Sequence, residues 1–290
     1  MKPKKLDVYI VAKAYSGSTI LGRDLNNHSK IFYAGELGRI PQYRKDYQYY
    51  EHDAGCMNCL INNKQCKIFS DSNIKKIGKK TPRLANEYLR RVTKKQIVVD
   101  GSKYVNWLNL NCADHKYLES TRVIILAKNP MEYLISCAVR GIEPIWQEAN
   151  AWRDTYYDAI RTVSRLGLSS TVVRFDEYMK NPEDILRQLC SYMGVDYHSS
   201  MLKSIDNPLH AIGGNPGAYE SIVGKKALKD KASKFDQKLF DINPNRVSGR
   251  FKKTKISDSV RADFAQVLSD TPMLLEVANL LGFTNKDIFG

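Results

Sequence analysis

Leu6-Asp7-Val8-Tyr9-Ile10-Val11-Ala12-Lys13-Ala14-Tyr15-Ser16-Gly17-Ser18-Thr19-Ile20-Leu21 is the stretch on which the reading of the fold turns. Leu6–Val11 is apolar on consecutive positions, with Asp7 the one charged interruption. That pattern fits a parallel strand covered on both faces better than a half-exposed strand, which alternates. The small-residue loop from Ala12 to Thr19 then delivers the chain into a helix predicted over Ser18–Asn26. Such a loop turns backbone N–H groups toward one point, and with the helix N-terminus it forms an anion cradle. The Walker pattern G-x4-G-K-[ST] is not met, because Ala12 stands at the first glycine and Ser18 at the lysine. Without that lysine the grip on a β/γ-phosphate is weak. An ordinary ATPase, a GTPase and a nucleotide kinase are all disfavoured.

Working outward, four more short apolar runs read as strands: Ile31–Tyr33, Gln96–Asp100, Arg122–Leu126 and Thr171–Arg174. Helical periodicity fills the intervals at Pro82–Val92, Met131–Arg140, Ile145–Leu166 and Pro182–Met193. Strand–helix alternation predicts an α/β fold, a three-layer arrangement with a mainly parallel central sheet flanked by helices. Ligands of such sheets sit beyond the carboxyl ends of the strands. The turns after Val11, Tyr33, Asp100, Leu126 and Arg174 are therefore the places to look. No internal repeat or Pro/Ser-rich linker breaks the chain, so residues 1–290 read as one domain.

Composition narrows the functional classes. The 290 residues carry 45 Lys+Arg against 31 Asp+Glu, a formal charge of +14, with 43% hydrophobic residues. Enough apolar content accompanies the charge to exclude general disorder. With 17 Gly and 10 Pro, collagen-like sequence is excluded too, and no apolar run reaches the roughly 20 residues of a membrane span. The surplus charge points to anionic partners. It is concentrated: residues 224–255 hold eleven basic and three acidic residues, a local +8. No recognised nucleic-acid motif accompanies this segment, so a nucleic-acid-binding protein is a weaker reading. The N-terminus lacks the apolar core of a signal peptide, and a cytoplasmic address is the default.

Cys112, Cys137 and Cys190 are scattered through apolar segments, as buried structural thiols usually are. Cys56, Cys59 and Cys66 cluster, and with His52 they could supply four zinc ligands. The reading taken is a loop of free thiols or one local disulfide, with no metal bound.

Five ordered segments carry a family resemblance. Tyr15-Ser16-Gly17-Ser18-Thr19-Ile20-Leu21 resembles the RSG[ST]T-x-L loop of sulfotransferases that use 3′-phosphoadenosine 5′-phosphosulfate (PAPS). Gly35-Glu36-Leu37 resembles the family's "GEL", and Val98-Val99-Asp100-Gly101-Ser102-Lys103 its "vvDsSK". Val123-Ile124-Ile125-Leu126-Ala127-Lys128-Asn129-Pro130, followed by Ser136, resembles "ihLvRDPR…S". His210-Ala211-Ile212-Gly213-Gly214-Asn215-Pro216 resembles the "H…GNP" of bacterial and carbohydrate-type members, and Cys56…Cys66-Lys67-Ile68-Phe69 a cysteine stretch of bacterial ones.

The resemblance implies a P-loop-like fold and sulfuryl transfer from PAPS, as co-substrate, to a hydroxyl or amine of a small-molecule or glycan acceptor. It implies no catalytic metal, and no nucleic-acid partner is expected. Tyr15, Ser16, Gly17, Ser18 and Thr19, with Lys13, would cradle the 5′-phosphosulfate. Lys103 would assist, Lys128 and Ser136 would take the 3′-phosphate with Arg140 as auxiliary, and Glu36 is the candidate base. Glu36 could instead pair with Lys103 or Lys13 and merely order the site. A basic stretch closing over the nucleotide would include Arg250.

Departures fall on charged positions. Tyr15 stands where the family carries Arg or Lys, Lys128 where it has Arg, and Asn129 where it has Asp. Gly217-Ala218 occupy the place where other members often put an Arg. A binding-only descendant of the family is therefore the alternative. Tyr43, Tyr47, Tyr49 and Tyr50, with Trp146, Trp152, Tyr156 and Tyr157, either line an acceptor pocket or pack the interior. Arg174-Phe175-Asp176-Glu177 reads as structural.

Overall fold

The computed structural model of the chain describes residues 5–40, 56, 59, 65–112, 115–203, 209–214 and 256–290. Five strands, β1 (Leu6–Ala12), β2 (Ile31–Gly35), β3 (Ile97–Lys103), β4 (Thr121–Ala127) and β5 (Ser170–Arg174), form one sheet in the order β2-β3-β1-β4-β5. Every pairing is parallel. β1 lies at the centre, with Val8 opposite Val99 on one side and Arg122 on the other.

Two separate apolar cores explain why the strands are apolar at consecutive positions. Val8, Ile10 and Ala12 pack with Leu21 and Leu25 of helix α1 (Ser18–Asn26) and with Leu186 and Leu189 of the helix Pro182–Met193. Tyr9 and Val11 face the other way, into a core with Trp107, Tyr133, Trp152, Tyr156 and Phe264. Because a strand sends alternate side chains to opposite faces, a sheet covered on both needs apolar residues in both sets. β5 departs from the pattern: Ser170 and Val172 are exposed, as suits an edge strand.

Asp7 keeps its place in the buried central strand because two arginines of the helix Pro82–Thr93 meet it. Arg83 donates to one carboxylate oxygen at 3.0 Å, and Arg90 donates to the other. A buried carboxylate without such partners would cost several kcal/mol, of order 3–5.

Predicted and observed elements agree closely. Ser18–Asn26 and Pro182–Met193 form as read, the latter with proline in its first turn, where a missing N–H costs nothing. β3 runs three residues beyond the predicted end at Asp100, since a register shift between Tyr9 and Val11 lets Lys103 pair with Val11. Helices at Asp71–Gly78, Val105–Asn111, Phe175–Lys180 and Asp258–Asp270 go beyond those read from the sequence. Among the described residues no helix is long and apolar enough to cross a membrane.

Candidate active site

The carboxyl ends of β1, β2, β3 and β4 gather most of the residues singled out from the sequence. The loop after β1 is shaped by Gly17, which caps α1 in the left-handed region at φ 89°. A Cβ there would lie 2.0 Å from Phe175 Cε2, so the loop needs glycine for both conformation and space. Gly17→Ala is expected to destabilise the fold by at least about 2 kcal/mol, from left-handed strain plus overpacking. A urea-unfolding midpoint within error of wild type would contradict this packing.

Tyr156 props the same loop from beneath. Its hydroxyl donates to the Leu126 carbonyl at 2.9 Å, receives the Lys13 amide at 3.3 Å and lies 3.3 Å from Ser16 Oγ. Trp152 donates to the Lys128 carbonyl at 3.0 Å. Both rings are fully buried. These two aromatic residues of the helix Ile145–Arg165 are thus supports of the site, while Trp146 and Tyr157 are exposed. Above them, α1 begins at Ser18 and Thr19 and turns the positive end of its dipole toward the loop, where an anion is favoured.

Beyond β4, Lys128 is buried and its ammonium donates to Ser136 Oγ, which in turn donates to the Glu132 carbonyl at 2.8 Å. Arg140 donates to the Ser136 carbonyl, and its guanidinium stands 4.3 Å from the centre of the Tyr15 ring. Lys128, Ser136, Arg140 and Tyr15 thus form one basic corner against the loop. Asn129 caps the helix Pro130–Ala138, accepting from the Met131 amide at 2.9 Å and the Glu132 amide at 3.3 Å. Its own amide donates to the Asp287 carbonyl at 2.6 Å.

On the other side of β1, Glu36 follows β2 and is almost wholly buried. Lys103 Nζ meets one carboxylate oxygen at 2.5 Å and Arg39 Nε the other at 2.5 Å. Burial opposes ionisation, but Lys103 and then Arg39 outweigh it, holding the Glu36 pKa below the usual carboxylate value. Its neighbour Asp100 has no ion pair among the described residues: burial pushes it up to about 6 despite hydrogen bonds from Ser102 and Trp107. Tyr15 (φ 65°) and Lys103 (φ 73°) both adopt left-handed backbone without being glycine, a strain that clusters at functional sites.

Lys13 is brought to the same edge but turned to Glu148 at 3.5 Å, rather than to Glu36. Arg39 escaped the sequence reading, although it lies three residues after Glu36 on a short 3₁₀ turn, where the two side chains meet. Arg250, the basic segment 224–255, Asn215 to Ala218, His52 and Tyr43, Tyr47, Tyr49 and Tyr50 lie outside the described residues. A mainly basic concavity of about 600 Å³, lined by Lys5, Arg83, Arg90, Arg91, Lys94 and Lys95 with Glu87 and Ser120, opens at the amino ends of the strands, away from this site.

The chain is similar to the sulfotransferase domain of the olefin synthase of Synechococcus PCC 7002. The two share 16% identity at a TM-score of 0.55, over 93% of this chain and 96% of that domain. It is also similar to the sulfotransferase domain from the curacin biosynthetic pathway, at 16% identity and TM-score 0.57, over 97% and 98% of the two chains. At that identity the likeness is one of fold. A search of curated protein sequences gives no match. The sequence model of the Sulfotransferase family matches residues 7–199, which takes in β1 to β5, the loop after β1, Glu36, Lys103, Lys128 and Ser136. With two thirds of its length inside that match, the chain belongs to the sulfotransferase family.

Proposed function

We propose that the protein transfers a sulfuryl group from PAPS to a hydroxyl or amine of a small-molecule or glycan acceptor. The observation that carries this reading is the basic corner of Lys128, Ser136 and Arg140 set directly against the anion-cradling loop. One donor molecule has two phosphate-bearing ends, and the two halves of this site offer one cationic pocket to each. Ser16, Gly17, Ser18 and Thr19 present backbone N–H groups to the 5′-phosphosulfate, while Lys128 and Ser136 hold the 3′-phosphate by charge-assisted hydrogen bonds.

In the transfer the acceptor oxygen or nitrogen bonds to sulfur as the bond from sulfur to the phosphate oxygen breaks, and the electron pair stays on the phosphate. Catalysis of this kind is positioning plus stabilisation of the leaving charge. Glu36 takes the acceptor's proton, and Lys103, held against it, keeps a cation in the same corner. Arg140, stacked over Tyr15, brings positive charge to the place where the family carries it on the loop itself. The transfer needs no metal under this reading.

Isothermal titration with adenosine 3′,5′-bisphosphate, followed by incubation with labelled PAPS and pooled acceptors, tests the proposal. Micromolar binding and label transfer to at least one acceptor are expected. Absence of binding at millimolar ligand would overturn it. Binding without transfer to any acceptor would favour a nucleotide binder, a second reading that draws on Tyr15 in the loop.

A further inference from the structure

Three cysteines and a histidine far apart in sequence converge on one point. Cys56 Sγ lies 3.5 Å from His210 Nδ1, Cys59 Sγ 3.4 Å and Cys66 Sγ 3.4 Å. All four atoms lie within 4.8 Å of one another, the cysteines buried and the histidine half-buried. Among the described residues the fourth member is His210, 144 residues beyond Cys66, while the His52 expected from local spacing lies outside them.

Three chemistries could gather such atoms. A disulfide holds two sulfurs about 2.05 Å apart and leaves the third thiol and the imidazole without a reason to be there. Thiol–imidazole hydrogen bonding also falls short, since Nδ1 has a single lone pair and can accept from one thiol only. A tetrahedral zinc ion, with Zn–S near 2.3 Å and Zn–N near 2.0–2.1 Å, separates sulfur from nitrogen by about 3.5 Å. The three observed separations agree with that value. The Phe69 amide donates to Cys66 Sγ at 3.2 Å, the kind of backbone contact that steadies a metal-bound thiolate. Cys112, Cys137 and Cys190 are also buried but do not join the group.

We infer that Cys56, Cys59, Cys66 and His210 bind one Zn²⁺ in a closed, structural Cys3His site. The thiols release their protons to solvent on binding, and with four protein ligands no position is left for water or substrate. The site's place in the fold gives it a purpose. Ile212, two residues after His210, forms isolated bridges to both Gly35 and Cys56. It accepts from the Glu36 amide at 2.7 Å and donates to the Ala34 carbonyl at 2.9 Å. A Cβ on Gly35 would lie 2.2 Å from the Ile212 carbonyl oxygen, so this crossing is tight. The metal therefore fastens Cys56, Cys59 and Cys66 and residues 209–214 to the end of β2, where Glu36 leaves the sheet. The inference stands apart from the donor assignment, because its test reads metal and not sulfuryl transfer.

Elemental analysis of the purified full chain is expected to find about one zinc per chain, retained through dialysis. Cobalt reconstitution should give the intense visible bands of a tetrahedral ion together with near-ultraviolet thiolate charge transfer. Cys59→Ser and His210→Ala should each lower zinc to less than about a fifth of wild type, while Cys190→Ser keeps it. If those variants do not fold, the wild-type zinc content and cobalt spectrum decide alone. Zinc below about a tenth of an equivalent after reconstitution with ZnCl₂, an octahedral cobalt spectrum, or a disulfide mapped between any two of the three cysteines would overturn the assignment.

Discussion

Lys128→Ala is expected to weaken binding of adenosine 3′,5′-bisphosphate by about 10- to 150-fold, the range for one charge-assisted hydrogen bond at roughly 1.5–3 kcal/mol. The upper end is favoured because Lys128 is buried, so solvent screens its charge little. Adenosine 5′-phosphate, which lacks the 3′-phosphate, should lose less than about threefold in the same titration. Ser136→Ala should fall between, since the serine oxygen both accepts from Lys128 and is anchored on the Glu132 carbonyl. The contrast between the two nucleotides carries the result. Equal losses for both would mean that Lys128 shapes the loop and does not touch a 3′-phosphate.

Glu36→Gln is expected to lower kcat by about 10²- to 10⁴-fold, the usual contribution of a positioned base. Nucleotide affinity should change little. Thermal melting must accompany the assay, because the amide removes the charge that Glu36 offers to Lys103 and Arg39. The pH profile adds a second readout. Lys103 and Arg39 outweigh burial and keep the Glu36 pKa below its ordinary value, so the active, ionised form persists through mildly acidic conditions. Activity limited by Glu36 should therefore fall only below the ordinary glutamate pKa of about 4.3. Stability follows the same sign. A depressed carboxylate pKa contributes stability that is complete above the unfolded value and lost as pH falls through the folded one. Removing a clamp by Arg39→Ala should shift the acidic limb upward. Wild-type kcat in Glu36→Gln would leave the carboxylate as an organiser of Lys103 and Arg39 alone.

The sheet was legible because its physics is local. Short, β-branched apolar runs such as Val98-Val99 and Val123-Ile124-Ile125-Leu126 suit a strand covered on both faces, and they form β3 and β4. The loop was legible for a similar reason: Ser16-Gly17-Ser18 has no side chain large enough to fill the space its backbone encloses. Lys128 and Ser136 are paired on paper by the family resemblance, which sets one at a strand end and the other in the helix that follows. Arg39 and Tyr156 could not, since their roles depend on which side chains the tertiary packing brings opposite. Nothing in the sequence places the Tyr156 hydroxyl under Ser16, 140 residues away. The cysteine cluster shows the same limit. Three of its members are near neighbours, whereas the fourth arrives only because Ile212 pairs beside Gly35.

Asn129 has a consequence for the site as a whole. As a helix cap it does what an aspartate would do, accepting from the Met131 and Glu132 amides, yet it carries no charge. Relative to the family pattern the site loses a positive charge at Tyr15 and a negative one at Asn129. At these two positions the changes cancel in net charge, Lys128 for arginine alters geometry but not charge, and Gly217-Ala218 leave out an Arg that other members often carry. An anion arriving from solvent would still meet positive charge beside the loop. The attraction would come from a corner centred on Lys128 and Arg140, rather than from the loop itself.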